Sequence, residues 1–402
     1  MDVDGDVAHR TGKSGALEVL QVFLKLGLTS FGGPVAHLGY FREEFVVRRN
    51  WLDEATYVDI VALCQFLPGP ASSQVGLAIG LSRAGYPGAL AAWTGFTLHS
   101  AIALILFAYG VEAIGGVAAS AWVHGLKIAA VAVVALAVLG MMRSLAPDRE
   151  RATLAVAAAC ISLAMPTSSG QISAIVLGGL AGMAFLREQG ASKPSLSIPL
   201  SVTPLHGSIA LLLFFGLLIA LPLAASAGVS LPLQLFDSFY RSGSLVFGGG
   251  HVVLPLLQAE VVPRGWVTND AFLAGYGAAQ AVPGPLFTFA AYLGTVIGGW
   301  SAGVLCLIAV FLPSFLLVIG AMPFWNVLRT GTIAQAALKG VNAAVVGLLL
   351  AALYHPVWTA GITSAKDFTL AIVAFLLLFM WQTPPWLVVI LSATATGALA
   401  NF

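Results

Sequence analysis

Two short motifs recur in the same order, and both place backbone amides where an anion could use them. Phe31-Gly32-Gly33-Pro34 is followed by Trp51 and by Gln65-x-x-Pro68-Gly69-Pro70. Phe247-Gly248-Gly249-Gly250 is followed by Trp266 and by Gln280-x-x-Pro283-Gly284-Pro285. Glycine lets backbone approach a ligand closely, and proline breaks one helix and tolerates the first turn of the next. A helix starting at each motif offers unpaired N–H groups and the positive end of its dipole, which is the chemistry of anion binding rather than of bond-making. Ser72, Ser73, Gln74 and Thr288 stand in the first turns as neutral donors. One helix terminus contributes at most about 2 kcal/mol when partly buried, against tens of kcal/mol for stripping a small ion of water. Several termini must therefore converge. The competing use of these Gly and Pro residues is tight helix packing.

Charged residues in apolar surroundings are the next candidates. Lys25 and Arg241 each stand six residues before the Phe of the Gly-rich motif, about 9 Å along a helix. A cation inside a bilayer costs roughly 2.5–3.5 kcal/mol, so its repetition points to anion attraction. Snorkelling, or pairing of Arg241 with Asp237 one turn earlier, is the other reading. Lys127 and Lys339 lie in apolar runs and are open to the same two readings, and Asn342 follows Lys339 as a neutral amide. Gln65 and Gln280 either donate to an anion or hold the broken backbone. Glu44 and Glu260 are candidates for proton coupling, with solvated interface charges as the alternative. His37, His99, His124, His251 and His355 share no metal-ligand spacing and read as satisfied buried donors. Trp51 and Trp266 read as interface anchors.

The elements that must position these groups are membrane helices. Of 402 residues 59% are hydrophobic and 9% charged, with a mean hydropathy of +0.94; a soluble domain carries about 25% charged residues. The net charge of +1 without a basic tract gives nucleic acid nothing to bind. Cys64, Cys160 and Cys306 have no metal spacing and read as small buried hydrophobes. No cofactor motif and no phosphate-cradling loop is present. Nor is there a serine, aspartyl or zinc-protease motif, which leaves an intramembrane enzyme without support. Residues 1–13 are polar and lack the apolar core of a removable signal peptide.

Apolar runs at 85–110, 119–142, 151–165, 171–187, 207–226, 301–322, 333–353, 367–381 and 384–402 are expected to span. Several fall short of the ~20 residues of a perpendicular span, so their ends are expected to extend into the polar flanks. Residues 14–48, 54–82, 231–262 and 269–298 are broken at the motifs into arms of roughly 18–25 Å. Broken backbone is tolerated at membrane depth only inside protein or beside a wet cavity. These segments are expected to be re-entrant hairpins whose tips meet near the midplane.

The organisation is a repeat. Gln65 and Trp51 return at Gln280 and Trp266, an offset of 215, while Phe31 and Glu44 return at Phe247 and Glu260, an offset of 216. Lys127 answers to Lys339. Half-chain repetition in apolar sequence broken by Gly and Pro is the pattern of a secondary transporter. Arg42, Arg48, Arg49, Arg83, Arg143, Arg149, Arg151, Arg187 and Lys193 all fall on one, cytoplasmic, face, and the matching loops of the second half are poorer in basic residues. The span 207–226 has no counterpart, so the second half runs inverted. The expected layout is a tail at 1–13, a first repeat at 14–187, a linker with one extra helix at 188–230 and a second, inverted repeat at 231–402. The fold class is an all-α polytopic membrane protein.

Leu26-Gly27-Leu28-Thr29-Ser30-Phe31-Gly32-Gly33-Pro34, Asn50-Trp51-Leu52 and Leu63-Cys64-Gln65-Phe66-Leu67-Pro68-Gly69-Pro70 resemble the first domain of the chromate ion transporter family. The motif at Phe247, Gln280-Ala281-Val282-Pro283-Gly284-Pro285 and Gly340–Gly347 resemble its second. The resemblance implies a two-domain bacterial inner-membrane transporter that exports chromate and confers resistance to it, with sulfate as a similar tetrahedral ligand. Lipid is a partner and a homodimer is left open. Phe96-Thr97-Leu98-His99-Ser100 departs from the family pattern, with His where Phe311-Leu312-Pro313-Ser314 keeps Pro, which questions a kink in that span. A sulfate importer and a passive anion channel are the rival functions.

Overall fold

The computed structural model describes residues 15–113, 121–187, 202–226 and 230–399. The expected tail at 1–13 and residues 188–201 and 227–229 of the expected linker 188–230 lie outside the described residues. Every regular element among the described residues is a helix or helical turn.

The first half opens with two helical hairpins. α1 (Ala16–Thr29) stops at Ser30, whose backbone is extended, and Gly32 takes φ 100°, a left-handed value that favours glycine. α2 (Gly33–Arg42) begins there with Pro34 in its first turn and continues into a π-helical turn, Glu43–Arg48. The chain has folded back, because Arg49 pairs with Glu18 at 3.4 Å and Phe23 stacks on Phe45. α3 (Glu54–Phe66) is capped by the Asp53 carboxylate, which accepts the Thr56 N–H at 2.8 Å. After Pro68-Gly69-Pro70, α4 (Ala71–Ala113) returns and carries Arg83 to within 5.0 Å of the Trp51 ring. α4 is two helices, because Ala84 and Gly85 leave helical geometry. The arms cross so closely that a Cβ on Gly80 would stand 2.3 Å from the Gly88 carbonyl oxygen. Residues 86–113 therefore run back against 71–83.

α5 (Ala121–Leu145), α6 (Arg149–Ala164), α7 (Ser168–Phe185) and α8 (Pro204–Ser226) follow. The second half repeats the plan. α9 (Leu231–Ser244) leads to a tip at 245–249, a short 3-10 turn and α10 (Val253–Val261). α11 (Asn269–Ala281) leads to a second tip at 282–288 and α12 (Phe289–Ala321), which breaks at Gly298 and Gly299 as α4 does at Ala84 and Gly85. Then come α13 (Trp325–Thr330), α14 (Thr332–Ala352), a single turn α15 (Thr359–Gly361), α16 (Ala365–Phe379) and α17 (Pro385–Leu399).

The two halves interlock. α5 packs against α16 and α17, and α14 against α6 and α7. Small residues make this approach close: a Cβ on Gly340 would lie 2.0 Å from the Gly178 carbonyl oxygen, and one on Gly125 would lie 2.4 Å from that of Ser392. The second parts of α4 and α12 pack side by side, with Trp93 against Phe311. At the far end of 86–113 the Trp300 N–H donates to Tyr109 Oη at 3.0 Å. The turns at Gly85 and Gly299 thus sit at opposite ends of one helix, about 35 Å apart at 1.5 Å per residue. α8 packs on α9 and α12.

Among the described residues each apolar run expected to span carries a helix, and six helices are both long and apolar enough to cross a membrane. The short spans extend into their polar flanks only slightly: α6, α7 and α16 begin at Arg149, Ser168 and Ala365, and α6 and α16 reach 16 and 15 residues. Caps and prolines stop them: the Asp148 carboxylate accepts the Arg151 N–H, Ser364 and Asp367 form a capping box, and Pro166 and Pro384 lie just beyond α6 and just before α17. Cys64 and Cys306 are buried as expected, whereas Cys160 is exposed on α6. The backbone stays helical through both His99 and Pro313.

Candidate functional site

The four tips meet. The Gly69 N–H donates to the Val246 carbonyl at 2.7 Å, and the Gly284 N–H donates to the Ser30 carbonyl at 3.2 Å. Ser30 and Val246 are the residues just before Phe31 and Phe247, so the two bonds are reciprocal: the second tip of each half holds the first tip of the other. Glycine is required at both donors. Gly69 and Gly284 have φ of 128° and 108°, and an added Cβ would lie 2.7 Å from Ser314 Oγ or 3.0 Å from Ser100 Oγ. Side chains secure three further tip carbonyls. Gln74 Nε2 donates to Pro68 at 2.7 Å, Thr288 Oγ1 donates to Pro285 at 2.8 Å, and His99 Nε2 contacts the Pro283 oxygen at 3.1 Å.

Beside this junction lies a cavity of about 170 Å3, far above the ~10–15 Å3 that one water needs. Ser30, Phe31, Gly32, Gly33, Pro34 and His37 line it from the first tip, and Pro70 and Ser72 from the second. The second half adds Gly250 and His251, then Gln280 and the stretch around Gly284 and Pro285. α5, Leu378 and Trp386 close the far wall, with the Phe31 and Trp386 rings 5.9 Å apart. Helix first-turn amides, including that of Gly33, have no intrahelical partner. Ser30 Oγ and Gln280 Nε2 are buried donors without a partner. His37 bridges two tips: Nε2 donates to the Ser30 carbonyl at 3.2 Å, and Nδ1 lies 3.3 Å from Ser72 Oγ. His251 Nδ1 lies 2.7 Å from Tyr276 Oη. No Lys, Arg, Asp or Glu is among the described residues of the lining.

The structure gathers part of the sequence-derived set and disperses the rest. Phe31, Gly32, Gly33, Pro70, Ser72, Gln280, Gly284 and Pro285 line the cavity. Pro68, Gly69, Ser73, Gln74, Pro283 and Thr288 lie in the junction behind it, and Phe247, Gly248 and Gly249 form the tip facing the other way. There a Cβ on Gly248 would meet Leu145 at 2.7 Å and Asn342 Oδ1 at 3.5 Å. Gln65, unlike its counterpart Gln280, is exposed. The cations stand elsewhere. Lys25 is exposed on α1. Arg241 is paired with Asp237 at 2.8 Å and Glu260 at 2.9 Å, and Glu260 also holds Arg264 at 3.2 Å. Glu44 is buried between Arg48 at 3.1 Å and Arg49 at 2.6 Å. Lys127 pairs with Asp270 at 2.9 Å, and Lys339 sits half-buried on α14. Trp51 and Trp266 lie at hairpin bases under Arg83 and Arg264.

His37, His251 and Trp386 are among the lining residues that the motif reading did not select. His37 carried a signal. It stands four residues after Gly33, so it shares the helix face that begins at the tip. His251 and Trp386 have no such marker, since only the folded tips bring them in. The described residues hold no group of three His, Cys, Asp or Glu side chains that could bind a metal ion.

The family model described as "Chromate transporter" matches residues 17–183 and again 233–398. A chromate transport protein of Pseudomonas aeruginosa is 29% identical over 335 residues, covering 81% of this chain and 77% of that protein. An uncharacterized transporter of Methanocaldococcus jannaschii is 26% identical, covering 86% and 85%. A chromate transport protein of Cupriavidus metallidurans is 23% identical, covering 83% and 81%. No solved structure matches the chain.

Proposed function

Because the chain belongs to the chromate transporter family, we propose that it is a secondary transporter carrying chromate outward across the membrane, with sulfate as a related ligand. It is a multi-pass membrane protein of a transporter family, not of an enzyme family. The observation that carries the reading is the cavity at the four-tip junction, lined by Ser30 and Gln280, each with a buried side-chain donor that has no partner, and by the residues from which the helices behind the tips start. A tetrahedral oxyanion presents four acceptor oxygens, and such a site meets them with donors alone. Hydrogen bonds to a charged group contribute about 1.5–3 kcal/mol each, so several of them with converging helix termini offset much of the desolvation cost. Chromate and sulfate share shape and charge, which makes sulfate the natural competitor.

The proposed layout is two repeats, 14–187 and 231–402, the second inverted, joined by 188–230. The bases of the hairpins at Gly85 and Gly299, placed at opposite ends of 86–113, support it. So does the reciprocal pair of tip bonds, which a pseudo-two-fold axis would generate. In that layout the hairpins are re-entrant, with their tips at mid-depth. The cavity lies beside α5, near the end where Arg143 stands 5.7 Å from the Phe379 ring. The archaeal relative takes the family beyond bacteria, so a bacterial inner membrane is part of the proposal. With an inside-negative potential a dianion gains about 4.6 kcal/mol per 100 mV on leaving, twice the single-charge figure, which supports export.

The test is transport by the purified chain in proteoliposomes. Labelled chromate should cross only with protein present, sulfate should compete, and unlabelled substrate on the far side should accelerate entry of label. Chromate flux that saturates without this acceleration would mark a channel. Flux equal to that of empty liposomes would overturn the assignment.

A further inference from the structure

The cavity that would hold a dianion has no charged side chain in its described lining, yet it holds two titratable ones, His37 and His251. We propose that the site takes its anion together with one proton, and that His37 is the group that receives it. The inference rests on the oxyanion reading above and names how that same site is regulated.

The geometry of His37 separates it from the other histidines. Its Nε2–H is committed to the Ser30 carbonyl, the same oxygen that accepts the Gly284 N–H. That fixes the tautomer, leaving Nδ1 as an acceptor from Ser72 Oγ–H at 3.3 Å. A proton arriving at Nδ1 reverses this bond: Nδ1–H now donates, Ser72 Oγ accepts, and the Ser72 hydroxyl hydrogen is released to turn into the cavity that Ser72 lines. One protonation thus supplies a positive charge and a new O–H donor at the same wall. Nothing is oxidised or reduced, and the proton comes from water at the open side.

Among the described residues no carboxylate contacts His37. On the elements packed against His37, α4 presents Phe96, whose ring stands 5.2 Å away edge-on, and His99, whose Nε2 is held at Pro283. α3 presents Tyr57, whose Oη donates to the Leu38 carbonyl. Across the cavity His251 faces Tyr276. His251 differs from His37 in spanning no tip-to-tip contact. A neutral buried imidazole and a bound dianion therefore favour each other only through the proton, and by linkage the anion must bind more tightly as the proton becomes available. One net negative charge then crosses, half that of the bare dianion.

The experiment measures binding of labelled sulfate and of chromate to the full chain in detergent between about pH 5 and 8, where an imidazole changes charge. Proton uptake on binding is read in parallel in weak buffer. Wild type should take up close to one proton per anion, and its affinity should rise up to about tenfold per unit fall in pH. His37→Gln should keep a weaker affinity that lacks this slope; the difference between the two slopes cancels any protonation of the anion itself. Ser72→Ala should keep the slope and bind more weakly throughout. His251→Gln should also keep the slope. Wild-type binding without proton uptake, or a slope that survives in His37→Gln, overturns the proposal even if transport is confirmed. If His37→Gln does not fold, the proton counts of wild type and of His251→Gln with sulfate decide: one proton in both supports His37, and loss of the proton in His251→Gln overturns it. Absence of binding by wild type to either anion at every pH would instead overturn the oxyanion reading on which it rests.

Discussion

Replacing Gln280 by Leu should make the protein more stable and less able to bind its anion. Gln280 Nε2 is a buried donor with no partner. An unmade buried hydrogen bond costs about 1–3 kcal/mol, and the cavity has room for water to recover part of that. The gain on removal is therefore expected near the low end, about 1 kcal/mol or roughly 1–3 °C in melting temperature for a chain of this size. Binding should move the other way. Loss of one hydrogen bond to a charged oxygen corresponds to about 10- to 150-fold in affinity. The assay is thermal unfolding of purified protein with and without chromate. At a concentration of 100 times Kd a ligand stabilises by about 2.7 kcal/mol; after a ~100-fold loss of affinity the same concentration gives only about 0.4 kcal/mol. Ser30→Ala, which removes the other unpartnered donor, should behave alike. A purely structural amide predicts the opposite pattern. If Gln280→Leu melts below wild type and keeps the full chromate-induced shift, the cavity is not the binding site.

Gly69→Ala should lower stability well beyond Gly33→Ala. Both need left-handed backbone at about 1–2 kcal/mol, but only at Gly69 would the Cβ stand 2.5 Å from Gln74 Nε2 and 2.7 Å from Ser314 Oγ, while Gly33 faces open space; melting temperatures decide. Arg241→Gln should destabilise by roughly 3–5 kcal/mol, because Asp237 and Glu260 are buried carboxylates that share it. Lys25→Gln, at an exposed site, should change neither stability nor chromate affinity appreciably; an affinity loss there at normal stability would restore Lys25 to the anion path. Single cysteines at Asn50 and Gly265, after replacement of Cys64, Cys160 and Cys306, should react with an impermeant reagent from opposite faces of the membrane, and labelling from one face would refute the inversion.

The convergence of the tips was legible because it follows from residue type. Pro68-Gly69-Pro70 and Pro283-Gly284-Pro285 cannot continue a helix, and broken backbone in an apolar chain must be gathered inside protein. What the sequence could not carry is the difference between equivalent positions. Gln65 and Gln280 are interchangeable in the motif, yet one is exposed and the other lines the cavity. The matching space at Gly248 is occupied by Leu145 and Met141. A repeat in sequence expresses two halves as equals, whereas a single conformation holds them in unequal states. The sequence reads the histidines as satisfied buried donors; His37, His99 and His251 each make a hydrogen-bond contact, but His99 Nδ1 is buried without a partner and His355 is exposed. That reading left open which of them also faces the cavity, because this depends on where the other three tips fall.

The one-residue shift between the offsets of 216 and 215 explains why the two repeated cations differ in use. It falls after Arg48 and Arg264, where the first half has Arg49-Asn50-Trp51 and the second only Gly265-Trp266. Asn50 and Gly265 both take left-handed backbone, at φ 50° and 69°, so they are the same turn and Arg49 is the insertion. A π-helical turn absorbs it: the Arg49 N–H reaches five residues back to the Glu44 carbonyl at 3.0 Å. The inserted side chain then becomes the second arginine on Glu44, at 2.6 Å beside Arg48. In the second half Glu260 also has two arginines, but without an insertion the second must come from the facing arm, and Arg241 supplies it. Each buried carboxylate, stranded at several kcal/mol without partners, is thus clamped by two guanidinium groups reached by different routes. Arg241 is held by that task, while its counterpart Lys25 is excused from it and turns outward. Of the two repeated cations, Arg241 therefore belongs to the clamp of its half and Lys25 to neither clamp, and under the proposed function the anion is left to the amides, hydroxyls and imidazoles of the tips.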